Sequence, residues 1–217
     1  MSTRVWYASY GSNLSRHRFD HYLRGGTPDG GRRHYPGCRD RRAPTADRPV
    51  TLPYRLRFGG TSRTWGGGMA FVDTAAPGRT LGRAYLISAG QFADVHAQEN
   101  GGDAGATDIA ALPPGEPVRA GGGNYPMIVR CDEGQHVPVL TFTAPTVPSA
   151  AAPAGAYLGA IAAGLAEAHR LTVAAIVHYL RSAATVRVAY DVAGLSAIVR
   201  AAVTASIVPP PRHSSPS

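Results

Sequence analysis

One carboxylate at the end of a predicted helix is the side chain of this sequence best suited to acid–base chemistry. Residues 95–102 read Val-His-Ala-Gln-Glu-Asn-Gly-Gly, and Glu99 shares an apolar helix stripe with Phe92 and Val95. Burial on such a stripe raises the pKa of a carboxyl group toward the range in which it can take and return a proton. The other interpretation of Glu99 is a helix-end side chain that turns outward to solvent.

A tight loop in residues 7–14, Tyr-Ala-Ser-Tyr-Gly-Ser-Asn-Leu, is the second feature that could do chemistry. It joins a predicted strand to a helix, whose free N–H groups and positive dipole end could hold a carboxylate or a developing oxyanion. The alternative is an ordinary strand–turn–helix, which Gly-Ser-Asn suits well. A nucleophilic Ser12 is disfavoured because the chain has no Gly-x-Ser-x-Gly elbow and no obvious His and Asp partners in order.

Four motifs in order resemble the γ-glutamylcyclotransferase family over roughly residues 4–181. Tyr10 to Leu14 is similar to the signature loop of the family, and Gln98-Glu99 is similar to the Gln-Glu of its catalytic helix. Two further segments, 62–70 and 157–171, resemble its Ser-x-x-Trp-x-Gly-Gly-x-Ala hairpin and its late helix. The resemblance implies an α+β fold, in which a small mixed β-barrel is flanked by helices and carries the site at its mouth.

The same resemblance implies an enzyme that cyclises a γ-glutamyl amine or peptide to 5-oxoproline and releases the amine. Glu99 would take a proton from the substrate amine and later return it to the leaving nitrogen. The implied substrate-binding residues are Tyr7, Tyr10, Gly11, Ser12, Asn13, Leu14 and Tyr157. For Tyr157, a core aromatic residue is the alternative. Asn100 stands where the family usually has glycine, which leaves the identity of the leaving group open.

We expect this chemistry to need no metal and no cofactor. No Gly-x-Gly-x-x-Gly follows a strand, and the complete absence of lysine excludes a P-loop lysine and a lysine Schiff base. His17 and His21 lie four residues apart on the first predicted helix, but no third ligand accompanies them. A solvated helix face is therefore the simpler interpretation of the two histidines.

A net charge of +8 and a sequence pI near 10.0 raise the possibility of a nucleic-acid partner. The arginines concentrate in residues 25–49, without interleaved stacking aromatics or a recognisable nucleic-acid module. We therefore predict no nucleic-acid partner and interpret this stretch as a solvated loop or as a substrate-selectivity loop beside the pocket. A non-catalytic small-molecule binder and a basic nucleic-acid-associated protein are the alternatives to an enzyme.

The composition, 44% hydrophobic and 17% charged over 217 residues, predicts one globular domain. No apolar run approaches the ~20 residues of a membrane span. We expect a cytoplasmic monomer or homodimer with free thiols at Cys38 and Cys131. The predicted divisions are a domain over residues 1–181, a packed C-terminal extension over 182–207 and a disordered tail over 208–217.

The elements that must position Glu99 and the loop follow from local signals. Arg4–Tyr10 predicts a strand, and Ser12 or Asn13 could cap a helix over about 13–24. Ser88 and Gln91 have the spacing of a capping box ahead of the helix that carries Glu99. The other predicted elements are strands at 52–58, 69–74 and 80–87 with a turn at 75–78, a hairpin over 125–131 and 136–143, helices over 154–170 and from Thr172, and a strand or helix pair over 183–207. Pro53 favours an edge position for its strand.

Overall fold

The computed structural model describes residues 3–27, 34–101, 112–132 and 136–207, and it confirms the predicted α+β class. The strands are β1 (Arg4–Ser9), β2 (Ala46–Gly59), β3 (Met69–Ser88), β4 (Pro117–Arg119), β5 (Met127–Arg130) and β6 (Val139–Thr143). The helices are α1 (Arg16–Arg24), α2 (Ala89–Asn100), α3 (Gly155–His169), α4 (Val173–Arg181), α5 (Ala184–Ala189) and α6 (Val192–Ile207). A short 3₁₀ turn, Ser12–Leu14, lies between β1 and α1.

The described strands form one mixed sheet in the order β2-β3-β1-β6-β5-β4. Strand β1 lies inside the sheet, antiparallel to β3 and parallel to β6. The order runs from one edge strand to another, so the word barrel fits this sheet only loosely. Strand β2 is an edge strand, as Pro53 predicted, although it begins earlier than expected, at Ala46.

One long strand, β3, replaces the two strands and the turn predicted for residues 69–87. Its register with β2 shifts on both sides of Tyr54, which pairs with Pro77. A Cβ on Gly78 would lie 2.7 Å from the Cα atom of Arg55, so the two backbones touch here. The predicted turn was wrong because Pro and Gly also mark irregularities inside a continuous ladder.

Helix α1 begins later than predicted, at Arg16, because residues Ser12 to Leu14 form a separate 3₁₀ turn. Asn13 lies in that turn, and its side-chain Nδ2 donates to Glu99. The backbone N–H of Arg16 donates to the carboxylate of Glu167 on α3, 3.1 Å away. Glu167 therefore satisfies one of the backbone donors that have no partner within the first turn of α1.

Helix α2 begins and ends as predicted. The Ser88 hydroxyl accepts from the Gln91 backbone at 3.1 Å, and the Gln91 side chain accepts from the Ser88 backbone at 3.0 Å. Gly101 follows the last turn with a left-handed φ of 70°. Thr172 caps α4 as expected, and β5 and β6 form the predicted antiparallel pair. The predicted turn residues 133–135 lie outside the described residues.

Two apolar clusters pack against the sheet, following the alternation of β1. Val5 and Tyr7 join the cluster that contains α1 and α2, whereas Ala8 and Tyr10 join the cluster that contains α3 and α4. Residues 183–207 form the helix pair α5 and α6, and α6 contributes Leu195 and Val199 to the second cluster. The division at residue 181 stays a prediction, and the predicted tail lies outside the described residues. None of the described helices has the length and apolarity to cross a membrane.

Candidate functional site

A cavity of about 600 Å³ brings Glu99 together with six of the seven predicted substrate-binding residues. Strand β1 and the turn after it supply the loop, α2 supplies the carboxylate, and α3 supplies a tyrosine. The six are Tyr7, Tyr10, Gly11, Ser12, Asn13 and Tyr157. Leu14 is the exception, because it is fully buried in the core and does not line the cavity.

Asn13 holds the carboxylate of Glu99. Its Nδ2 donates to Glu99 Oε1 at 3.0 Å and lies 3.5 Å from the Tyr7 hydroxyl. Asn13 is 2% exposed, and its Oδ1 atom has no hydrogen-bond partner within the described part of the chain. Glu99 itself is half-buried. The carboxylate therefore lies against the loop, as an acid–base group acting on a loop-bound ligand must.

Buried tyrosines surround this carboxylate. Burial raises the pKa of the Tyr7 and Tyr157 hydroxyls above the ordinary value, and the negative charge of Glu99 raises both further. Burial and the same charge also raise the pKa values of Tyr22 and Tyr125. These phenols stay protonated at neutral pH, so each is a neutral group near Glu99 that can donate a hydrogen bond.

The backbone of the loop is held from beneath by β3 and α3. The Tyr85 hydroxyl donates to the Asn13 carbonyl at 2.8 Å, and Arg83 Nη1 donates to the Leu14 carbonyl at 3.3 Å. Gly164 of α3 lies so close that a Cβ on it would come within 2.3 Å of Leu14. Neither Ser15 nor Arg16 lines the cavity, so the start of α1 is not the ligand-facing helix end that the sequence suggested.

Two other tyrosines of the predicted set, Tyr10 and Tyr157, have their hydroxyls hydrogen-bonded to backbone groups. The Tyr10 hydroxyl donates to the Phe142 carbonyl at 2.5 Å, across the sheet. The Tyr157 hydroxyl accepts from the Ala70 backbone N–H at 3.2 Å, and its ring lies 5.6 Å from the ring of Trp65. Tyr157 is 5% exposed and also lines the cavity, so the core interpretation and the pocket interpretation both describe it.

Asn100 fastens the wall of the cavity that carries Tyr125. Its Nδ2 donates to the Tyr125 carbonyl at 3.1 Å, and its Oδ1 accepts from the Tyr125 backbone N–H at 2.7 Å. The Tyr125 hydroxyl then donates to the Ala70 carbonyl at 3.1 Å. A residue that departs from the family pattern thus has a structural role next to Glu99.

Sequence reasoning missed a group of cavity residues centred on Arg18. This arginine is 5% exposed, and it lines the cavity together with Tyr22, Tyr35 and Trp65. The available signal was its position on the buried face of α1, next to Phe19, where a cation requires an explanation. Tyr35 also shows that the long 25–49 stretch contributes to the site.

The other candidates from the sequence lie apart from this chemistry. The rings of His17 and His21 are 5.2 Å apart, and the described residues contain no group of three His, Cys, Asp or Glu placed to hold a metal. Cys38 and Cys131 are free thiols, as expected, and burial raises the pKa of each to about 12. In the arginine-rich stretch, Arg39 pairs with Asp94.

Comparison with solved structures finds proteins of similar fold. A γ-glutamyl cyclotransferase matches 76% of this chain and 80% of its own length at 17% identity and a TM-score of 0.45. An uncharacterized protein from Homo sapiens matches the same shares at 19% identity and a TM-score of 0.45. The Bacillus subtilis protein YkqA matches 82% of this chain and 54% of its own length at 19% identity and a TM-score of 0.47.

Comparison of the sequence gives a different relative. No protein-family model matches the chain. Histone deacetylase 5 of Arabidopsis thaliana is 34% identical to it in an alignment 197 residues long that covers 77% of this chain. The chain spans 29% of the length of that relative.

Proposed function

We propose that this protein cyclises a γ-glutamyl amine or peptide to 5-oxoproline and releases the amine. The observation that carries the proposal is the carboxylate of Glu99, held 3.0 Å from Asn13 in a cavity that the Gly11 loop also lines. The motif resemblance described above supports the same chemistry.

The reaction is an exchange of one carbon–nitrogen bond for another within the substrate. The neutral α-amine attacks the γ-carbonyl carbon, a carbon–nitrogen bond closes a five-membered ring, and the carbonyl electron pair moves to oxygen. Glu99 takes a proton from the attacking nitrogen. The electron pair then returns from oxygen, the bond to the leaving nitrogen breaks, and Glu99 gives that nitrogen its proton. No water is consumed.

The chain supports this exchange mainly by position. Asn13 orients Glu99, and the N–H groups of Ser12 and Asn13 are assigned to the substrate α-carboxylate and the developing oxyanion. A cavity of limited volume favours a folded γ-glutamyl chain, which brings its amine to its own carbonyl. All bonds that form and break belong to the substrate, so we expect activity to survive chelation and dialysis.

The test is release of 5-oxoproline from a panel of γ-glutamyl dipeptides and γ-glutamyl amines. Glu99→Gln keeps the shape of the side chain and removes proton transfer, so we expect kcat to fall on the order of 100-fold or more, with thermal unfolding unchanged. Glu116→Gln, at an exposed position, is the matched control and should behave as the wild type. Activity of Glu99→Gln within about threefold of the wild type would refute the assignment. No product from any substrate would favour a non-catalytic binder.

The name of the Arabidopsis relative raises deacetylation of an acetyl-lysine side chain as a second reaction to assay. Cyclisation requires a free amine within reach of the amide carbonyl, and acetyl-lysine offers none inside its acetyl group. We therefore expect no acetate from an acetylated histone peptide. If the wild type released acetate and Glu99→Gln did not, deacetylation would replace cyclisation as the proposed reaction.

A further inference from the structure

Arg18 is a buried cation in the wall of the cavity that contains Glu99. It lies on α1 and is 5% exposed, so almost none of its surface is left to water. Burial of a charged group without an opposite charge is unfavourable. Within the described residues, no carboxylate lies at ion-pair distance from this guanidinium. Its burial therefore needs another explanation.

Three aromatic rings enclose the guanidinium and fix its plane. Its central carbon lies 4.6 Å from the ring centroid of Tyr35, 5.3 Å from that of Trp65 and 5.7 Å from that of Tyr22. Arg18 Nη2 also donates to the Tyr35 hydroxyl. The Nε–H group has no acceptor among the described residues. The cage thus stabilises the cation but leaves donors of its rigid fork unused.

A fixed guanidinium fork with unused donors matches the two oxygens of a carboxylate. Pairing in a site shielded from water is stronger than pairing at the surface. A phosphate dianion would fit the fork as well, but it would bring two negative charges, where a carboxylate brings one, into a cavity that already contains the carboxylate of Glu99. The carboxylate is therefore the better occupant.

The charges of Glu99 and Arg18, which line one cavity, shift the pKa values of the same two tyrosines. Burial raises the pKa values of Tyr22 and Tyr157, the Glu99 charge raises them further, and the Arg18 charge lowers both. A positive group and a negative group therefore flank the same rings. A ligand with an amine at one end and a carboxylate at the other complements this arrangement.

We propose that Arg18 binds the carboxylate of the leaving amino acid, so that the chain selects γ-glutamyl amino acids and peptides over γ-glutamyl amines. This inference rests on the proposed function. The α-carboxylate of the substrate shares a carbon with the attacking amine, so it lies next to Glu99 and is assigned to the Asn13 loop. Arg18 lies beyond that loop on α1 and takes the second carboxylate, that of the departing group.

The test compares two substrates that differ only in that carboxylate, γ-glutamyl-alanine and γ-glutamyl-ethylamide. We expect the wild type to prefer the alanine compound in kcat/KM on the order of 10- to 100-fold, the effect of a hydrogen bond to a charged group. Arg18→Gln should reduce this preference to within about threefold of one. Arg24→Gln removes an exposed arginine from the same helix and should keep the wild-type preference.

Three outcomes would overturn the inference. The first is a wild-type preference near one, which needs no variant. The second is an unchanged preference in Arg18→Gln, and the third is an equal loss on both substrates, which would place Arg18 at the glutamyl moiety or in the fold. Thermal unfolding shows whether Arg18→Gln is folded. If it is not, Arg18→Lys, which keeps the charge but lacks the guanidinium fork, takes its place in the comparison.

Failure of the proposed function would give a different pattern, in which neither compound yields 5-oxoproline. Isothermal titration calorimetry of the two compounds then tests carboxylate binding by Arg18 independently of catalysis. Tighter wild-type binding of γ-glutamyl-alanine than of γ-glutamyl-ethylamide, lost in Arg18→Gln, supports it. Equal affinities, or no binding of either compound, overturn it.

Discussion

Neighbouring residues of the loop contribute different atoms to the cavity. The Tyr10 hydroxyl donates to the Phe142 carbonyl, so only the backbone of Tyr10 is left to hydrogen-bond a ligand in the cavity. Asn13 contributes its amide to Glu99. Gly11 contributes the absence of a side chain, although its φ of −105° is open to any residue. Its requirement for glycine is steric, because a Cβ would lie 2.9 Å from the Tyr157 hydroxyl.

This contact predicts a rescue. Gly11→Ala should lower the free energy of unfolding by about 1–2 kcal/mol, because the new methyl group meets the Tyr157 oxygen. Tyr157→Phe removes that oxygen and its hydrogen bond from Ala70, at a cost of about 1 kcal/mol. In the double variant the clash is absent, so its loss should be smaller than the sum of the two single losses. Urea denaturation measures all three.

Strict additivity of the two losses would show that the Gly11 methyl group does not meet Tyr157. Ser12→Ala is the control in the same segment, because no hydrogen bond of its hydroxyl holds the loop among the described residues. Its stability should stay close to that of the wild type. If Ser12→Ala abolished activity while Gly11→Ala kept it, a serine nucleophile would replace the proposed mechanism.

Most of the site residues that the sequence motifs named lie together in one cavity, whereas a cavity residue that only burial distinguishes was missed. Glu99 and Asn13 stand in recognisable patterns, and the structure places them in contact. Arg18 belongs to none of the sequence motifs described above. Its aromatic surroundings come from Tyr35 and Trp65, which lie in other segments of the chain.

At the scale of elements, an ion-pair network joins β2, β3 and α3 under the loop. Arg83 contacts Asp47 at 2.6 Å and Glu167 at 2.8 Å, and its side chain is 8% exposed. The same guanidinium donates to the Leu14 carbonyl. Because Glu167 also accepts from the start of α1, this network fixes the loop relative to three elements.

Removal of this arginine should therefore be far more harmful than removal of a surface arginine. We expect Arg83→Met to lower the free energy of unfolding by about 2–3 kcal/mol, because Glu167 loses the cation that it pairs with and Asp47 is left with the more exposed Arg16. Arg57→Met breaks an Arg–Asp pair of the same 2.6 Å length, with Asp73, but the arginine side chain is 46% exposed. Its loss should be about 0–1 kcal/mol. Equal losses in urea denaturation would mean that burial does not determine the strength of these pairs.

Predicted elements were correct where a local signal has a single meaning. The Ser88–Gln91 spacing and Gly101 set both ends of α2, because a capping box and a left-handed glycine have few other uses. Residues 75–78 carried an ambiguous signal, and pairing with β2 made them part of one strand. The start of α1 depended on Glu167, which is 151 positions away from Arg16 and invisible to local reasoning.

For the whole molecule, two histidines make stability depend on pH. Burial lowers the pKa values of His96 and His169, and in each ring Nε2 lies 2.8 Å from a backbone carbonyl, that of Tyr125 or Gly82. An unfolded histidine titrates near pH 6.5. Below about pH 6.5 the unfolded chain binds more protons than the folded chain. The contribution of the two histidines to the free energy of unfolding is therefore fully present above about pH 6.5 and is lost as the pH falls toward their lowered pKa values.

We expect urea denaturation to show a lower free energy of unfolding at about pH 5.5 than at about pH 7.5. His96→Gln should reduce this difference, because a neutral amide replaces the group that gains a proton on unfolding. His136→Gln is the control, since that side chain is exposed. A difference of equal size in His96→Gln would show that His96 does not contribute to it.

The pairing of β1 with β6 also has a consequence for when the cavity forms. The hydrogen bond from Tyr10 to Phe142 joins residues 132 positions apart, and Tyr157 lies still further along the chain. Contacts of such long sequence separation form after most of the chain has been ordered, since closing a long loop costs entropy before it is rewarded. Synthesis on the ribosome therefore passes α2, which carries Glu99, well before the cavity can exist. A partly made chain contains Glu99 but not the cavity, and the candidate site is complete only when the two halves of the sheet meet.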